Sequence, residues 1–132
     1  MRGEIPAATV HEDDEAIVFL DINQAIKAHL LIVPRVHAAQ WHELDDGTMA
    51  HVARLTAQWA PAVVAAVDAD GYNLLLNNGE AAGQEVMHVH FHLIPRKRGD
   101  GVRMAGVKPR LADAEELRGT ASVIKAAQRA RE

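Results

Sequence analysis

The chain predicts an α+β fold: a five-stranded antiparallel sheet with one long helix packed on it and a second helix at the C-terminus. Three observations carry this. Short apolar runs bounded by turn residues recur at strand length. A single 3.6-residue apolar stripe crosses residues 46–68. Residues 88–92 read His-Val-His-Phe-His, a strict alternation that belongs to a strand.

Residues 9–12 and Ile17-Val18-Phe19-Leu20 are read as two short strands joined by the acidic turn Asp13-Asp14-Glu15. Leu30-Leu31-Ile32-Val33 has the composition of a buried strand and is stopped by Pro34. Asp45 or Asp46 can cap a helix reaching Asp68, on which Met49, Val52, Leu55, Trp59, Val63 and Val67 share one face. Pro61 lies inside this pattern and is expected to kink it or mark a boundary. Asp70-Gly71 ends the helix and Tyr72-Asn73-Leu74-Leu75-Leu76 opens the next strand. A Gly-rich loop then leads to the histidine strand. Short connections favour a meander, with Val89 and Phe91 pointing into the core. Residues 96–110 are basic and Gly-rich and read as loop. Asp113 can cap a last helix to about Arg129, with Leu117, Thr120, Ile124 and Ala127 on one face. Trp41 and Trp59 are read as core or interface residues.

The 132 residues fit a single domain, residues 1–132, with a core at about 3–100 and a C-terminal loop and helix at 101–132. A net charge of −4 gives no electrostatic footprint for nucleic acid. The chain has no cysteine, so disulfides, thiolate metal sites and a cysteine nucleophile are excluded, in keeping with a cytoplasmic location. No apolar run approaches the ~20 residues that span a bilayer, and Met1-Arg2-Gly3-Glu4 does not start a signal peptide.

On a strand His88, His90 and His92 would stand on one face, ~7 Å apart. Such a wall can position an anion, bind a metal or supply a nucleophile. Neutral imidazole is nucleophilic near pH 7 without a helper base. The middle ring has an imidazole on each side, so His90 is placed to attack a phosphorus while its neighbours hold oxygens or the departing group. His-x-His on a strand is also a zinc-ligand spacing. A His-ligated metal hydrolase is therefore the alternative, although no carboxylate is obviously placed as a further ligand. A nucleotide-binding scaffold with little turnover is a third reading. His11, His42 and His51 have no comparable context and are read as ordinary surface or partly buried residues.

The stretch Gly83-Gln84-Glu85-Val86-Met87-His88-Val89-His90-Phe91-His92-Leu93-Ile94-Pro95-Arg96 resembles the signature of the histidine triad (HIT) nucleotide hydrolases and transferases. Gly3-Glu4-Ile5-Pro6-Ala7, Glu12-Asp13-Asp14, Phe19-Leu20-Asp21-Ile22, His29 to Pro34 with His37, and Asn77-Asn78-Gly79 are similar to the family's other segments, most of all in its small Hint-like bacterial branch. The resemblance implies a nucleotide phosphoramidase or nucleotidyl hydrolase. It would cleave at the α-phosphate of a purine nucleotide through a nucleotidyl-histidine intermediate on His90, without a metal or other cofactor. It implies that His88 orients the nucleophile, that His92 contacts phosphoryl oxygens or the bridging atom, and that His29 is a fourth active-site histidine. Asp21 would hold the ribose hydroxyls, Phe19 and Ile22 part of the purine slot, and Asn77 the phosphate or ribose. Gln84 and the amides around Glu85 would lie against the phosphate. The resemblance also implies a homodimer built on the long helix and the strand at 72–77, with Trp41, Trp59 and the C-terminal tail as candidate contacts. His37 takes a structural role in this reading.

The chain departs from the family pattern in places. Glu85 stands where a serine or threonine hydroxyl is common. Lys27-Ala28 replaces a Pro-Gly before His29. The N-terminal aromatic that helps close the base pocket, and the zinc-binding cysteine pair of some members, have no counterpart.

Overall fold

The computed structural model describes residues 8–24, 26–102 and 110–132. The expected opening segment at residues 3–7 and residues 103–109 of the expected loop at 96–110 fall outside them. Strands β1 (Thr9–Glu12), β2 (Ala16–Leu20), β4 (Leu30–Pro34), β5 (Gly71–Leu75) and β6 (Phe91–Arg96) form one antiparallel sheet in the order β1-β2-β4-β6-β5. This is not the expected meander. The chain leaves β4, runs through helix α1 (Asp46–Val67) and lays β5 at the edge, and β6 then returns between β4 and β5. Two-residue strands β3 (Asn23–Gln24) and β7 (Arg110–Leu111) pair separately, and helix α2 (Ala114–Arg131) closes the chain.

The helices form where their caps and stripes place them. Asp45 accepts the Thr48 amide at 2.8 Å and the Thr48 hydroxyl at 3.0 Å, while Asp113 accepts the Glu116 amide at 2.8 Å. Helix α1 ends at Asp68 in the left-handed conformation. It runs through Pro61 without a break. Val52, Leu55, Trp59 and Val63 are buried, as are Leu117, Thr120 and Ile124 of α2. Helix α1 packs over β4 and β6, and α2 over β1, β2 and α1. Trp59 is 5% exposed and belongs to this core. Trp41 packs on Phe91 with ring centroids 4.9 Å apart.

Alternation sorts the sheet into two faces. Val18, Leu20, Leu30, Ile32 and Leu93 are fully buried beneath the helices. Directly paired residues in an antiparallel sheet share a face. Phe19, Leu31, His92 and Leu75 are paired in one such row on the other face, and all four are only partly buried. That second face carries the histidines.

Candidate active site

Strand register assembles the site. Leu20 pairs with Leu30 and Leu31 with His92, so Asp21 continues opposite His29, and His29 lies diagonally from His92. The Asp21 amide donates to the His29 carbonyl at 3.0 Å. The Gln24 side-chain amide donates to the carbonyls of Asp21 (2.6 Å) and His29 (3.2 Å), and its oxygen accepts the Ala28 amide at 3.0 Å. This buried staple fixes the turn that presents His29. Within it Ala28 is held at φ +74°, a left-handed conformation that favours glycine. The replacement of the family's glycine by Ala28 therefore leaves the turn's positive φ in place.

The side chains then converge. His29 Nε2 and His92 Nδ1 are 2.9 Å apart, one donating to the other. The Asp21 carboxylate is 3.8 Å from His29 Nε2. The His90 and His92 rings meet edge to face with centroids 4.8 Å apart. His29 is 4% exposed. Burial, followed by electrostatic repulsion between the two rings when both carry a proton, depresses the His92 pKa to about 4, so that ring is neutral at pH 7.

Alternation alone predicts all three triad histidines on one strand, and only His92 is in one. Strand β6 begins at Phe91, and His88 and His90 lie in the irregular segment before it. Continuing the pairing of Ile32 with Phe91 would set Val89 opposite Pro34, which has no amide to donate. The ladder stops there and side chains take over. His88 Nε2 donates to the Pro34 carbonyl at 2.8 Å, and its ring meets His37 edge to face at 5.7 Å. His90 Nδ1 donates to the His88 carbonyl at 2.7 Å. In neutral His90 the lone pair is therefore on Nε2.

The family model for the HIT domain matches residues 2–99. This chain belongs to the HIT family. It is 45% identical over 101 residues to an uncharacterized HIT-like protein of Methanocaldococcus jannaschii, covering 76% of this chain and 78% of the relative. It is 41% identical over 96 residues to an adenosine 5′-monophosphoramidase of Schizosaccharomyces pombe, covering 73% of this chain and 69% of the relative. Among solved structures, a Hit-like protein from Bartonella henselae described as involved in cell-cycle regulation superposes with a TM-score of 0.86 at 34% identity. The match covers 96% of this chain and 90% of that one.

One expected site residue of this HIT protein, Gln84, is placed differently from the sequence reading. Gln84 is 2% exposed. Its oxygen accepts the Gly79 amide at 2.7 Å, and its nitrogen donates to the carbonyls of Ala39 (2.6 Å) and Val86 (3.0 Å). Both amide hydrogens are spent, so the side chain staples the loop instead of facing a ligand. Asn77 is partly buried, with its amide 3.5 Å from the Gly83 carbonyl, and Gly83 holds φ +99° beside it. Glu85 is exposed on the loop before the triad. Phe19 is partly buried in the His92 row, and Ile22 is 42% exposed just past Asp21. The sequence places no carboxylate obviously as a further ligand beside the histidines, and the structure brings one there. That is Asp21, and the signal that could have located it is its position opposite His29.

Proposed function

We propose that this HIT protein is a cytoplasmic nucleotide phosphoramidase that hydrolyses at the α-phosphate of purine nucleotides, with His90 as the covalent nucleophile. The observation that carries the reading is the 2.7 Å bond from His90 Nδ1 to the His88 carbonyl, which leaves Nε2 as the attacking atom. The His90 Nε2 lone pair forms a bond to the α-phosphorus as the phosphorus–nitrogen bond to the leaving amine breaks, and the amine departs with a proton taken from solvent. Water then adds to phosphorus and gives up a proton to solvent, the bond to Nε2 breaks, and nucleoside monophosphate and neutral His90 are released. The orienting acceptor for His90 is the backbone carbonyl of His88, while the His88 ring anchors that segment to Pro34. His92, neutral and beside His90, is placed to hold a phosphoryl oxygen or the bridging atom. Asp21 takes the ribose hydroxyls, with Phe19 and Ile22 along the base and Asn77 and the amides around Glu85 near the phosphate. The similarity to a fungal adenosine 5′-monophosphoramidase supports the substrate class.

The test is steady-state hydrolysis of a fluorogenic adenosine phosphoramidate together with acid quench of an α-labelled substrate. Label trapped on His90 in the wild type, and no turnover in His90→Ala, is the expected result. Near-wild-type turnover in His90→Ala ends the proposal.

We also propose a homodimer. Strand β5 is an edge of the sheet, and Tyr72 and Leu74 are 46% and 50% exposed at the border of the helix-covered face. Trp59 cannot contribute, since it is buried in the core. A monomer by light scattering at micromolar concentration would refute this.

A further inference from the structure

We propose that Asn78–Gly79 is a covalent modification site, an asparagine primed to deamidate, and that Gln84 keeps it closed by holding the Gly79 amide hydrogen. It is the single Asn-Gly pair in the chain, and it lies in the loop before the triad. The reaction needs no enzyme. The Gly79 nitrogen loses its proton to solvent and attacks the Asn78 side-chain carbonyl carbon. The carbon–nitrogen bond of the side-chain amide breaks, and ammonia leaves with a proton taken from water. A five-membered imide then joins the two residues. Water opens it at one of its two carbonyls and leaves aspartate or isoaspartate. Glycine makes the ring closure easy because it has no Cβ to crowd the incoming nitrogen.

The fold asks for both residues. Gly79 holds φ +93° and ψ 152°, a region essentially restricted to glycine. A Cβ there would meet nothing closer than 3.7 Å, so backbone conformation and not crowding fixes the choice. Asn78 Oδ1 accepts the Trp41 amide at 2.7 Å. Trp41 opens the short 3-10 turn Trp41–Glu43, so no carbonyl within that turn can take its amide. Asn78 is exposed, so water can reach the imide.

The same loop closes the reaction path. The Gly79 amide donates to Gln84 Oε1 at 2.7 Å, and the Gly79 carbonyl accepts the amides of Ala82 and Gln84, each at 3.1 Å. Attack requires the nitrogen to give up the hydrogen that Gln84 holds and its peptide plane to turn towards Asn78. Gln84 is itself 2% exposed and bonded to the carbonyls of Ala39 and Val86. The Trp41 bond polarises the Asn78 amide, which favours attack, but it also fixes the direction of that side chain. Deamidation therefore awaits local opening of the loop.

The product adds a negative charge between β5 and the triad, and isoaspartate also lengthens the backbone by one atom. If the proposed function is right, that charge stands in the loop assigned to the phosphate and lowers turnover. That clause alone rests on the proposed function.

The experiment follows the mass of the peptide containing Asn78, cut from full-length protein after incubation at mildly alkaline pH, with the site located by fragmentation. The folded chain should deamidate at Asn78 at least about 100-fold more slowly than the same chain unfolded in urea. Gln84→Ala, with folding checked by circular dichroism, should react at least about tenfold faster than folded wild type. His51→Gln, which removes one bond of the Asp13 staple and leaves the loop bonds in place, should stay within about threefold. Should Gln84→Ala fail to fold, wild type in sub-denaturing urea carries the test. The Asn78 rate should then rise in proportion to hydrogen exchange at the Gly79 amide. Equal rates in the folded and unfolded chain overturn the closed site. A folded Gln84→Ala that reacts like wild type, or a wild-type rate that does not track Gly79 exchange, overturns Gln84 as the guard. Loss of hydrolysis in step with the deamidated fraction supports the loop's place beside the phosphate. Full hydrolysis by deamidated protein leaves the modification site standing and overturns that place.

Discussion

Two clusters in this molecule pair histidines with a carboxylate, and they are built in opposite ways. In the first, Asp13 sits in the turn between β1 and β2. One of its oxygens accepts the amides of Glu15 (2.8 Å) and Ala16 (2.9 Å), and the other accepts Nε2 of His11 and of His51, each at 2.8 Å. Burial raises the Asp13 carboxyl, but these four hydrogen bonds outweigh it and hold the group well below the usual carboxylate range. The carboxylate is the hub and the rings are spokes, and the product is a staple from the hairpin to α1. In the second cluster the hub is a ring. His92 has His29 on one side and His90 on the other, and Asp21 stands 3.8 Å from His29. Burial favours the neutral ring here, and the His90 Nε2 lone pair is directed by a backbone carbonyl. Composition does not separate the clusters. What separates them is which group is the hub and what it serves: a carboxylate that ties the β1–β2 turn to α1, or a ring in the partly buried row of the sheet face.

The widest separation should appear in turnover. His90→Ala is expected to lower kcat for an adenosine phosphoramidate by at least about 10³-fold, because a nucleophile has no substitute within the site. His51→Ala is expected to stay within about threefold of wild type once the protein is folded, since the ion-pair partners of His51 among the described residues are Asp13 and Glu15, both away from the triad. Comparable losses in both variants would erase the functional distinction between the clusters.

Stability should reverse the ranking. Asp13→Ala removes four hydrogen bonds at once from a partly exposed carboxylate, and each is worth about 0.5–1 kcal/mol net. A loss of roughly 2–3 kcal/mol in urea unfolding is expected, with the kcat of the remaining folded enzyme near wild type. A cost under about 0.5 kcal/mol would mean that the staple is ornamental.

How much of this is legible in sequence follows from the same contrast. Both helices and strands β1, β2, β4 and β5 are readable because periodicity and caps are local. Asp45 and Asp113 do cap the two helices. The sheet order is not readable, because no local pattern says that β6 returns between β4 and β5. The triad's alternation gives the family correctly and the local backbone only in part, since the missing amide of Pro34, 54 residues from His88, ends the ladder. Gln84 reads as a ligand residue by motif and turns out to be a loop staple, because saturation of an amide is a tertiary property. Asp21 beside His29, and His11 beside His51, likewise need strand register or helix docking to be brought together.

Acid should separate the clusters by pH window. His92 titrates near 6.5 when unfolded and near 4 when folded. Between those values the unfolded chain binds more protons, so stability falls as pH drops from 6.5 towards 4 and is unaffected by this ring above 6.5. Asp13 is depressed from an ordinary value of 3.8, so its contribution is intact above that pH and is lost only as pH falls below it. Unfolding free energy measured from pH 8 to pH 3 should therefore show two stages. His92→Asn should flatten the stage between 6.5 and 4, and Asp13→Asn the lower one. If His92→Asn leaves the upper stage unchanged, the buried neutral ring is not its source.

The smallest expected effect lies in the turn that presents His29. Ala28 is fully buried at φ +74°. A left-handed conformation costs an L-residue roughly 1–2 kcal/mol, which Ala28→Gly would recover. Glycine gives back about 0.4–1 kcal/mol through the greater freedom of the unfolded chain. Loss of a buried methyl costs about 0.8 kcal/mol more. These terms cancel, so Ala28→Gly should alter stability by less than about 1 kcal/mol in either direction. Ala28→Val meets both penalties together, a branched side chain at positive φ and no room for added carbons, and should cost more than about 2 kcal/mol. The two substitutions measured side by side separate strain from packing. A large loss with glycine would show that the methyl group fills the core and that the positive φ carries little strain. A large gain would show that the turn before His29 holds more strain than one residue's φ accounts for, strain the Asp13 staple, with no positive-φ residue in its turn, does not have.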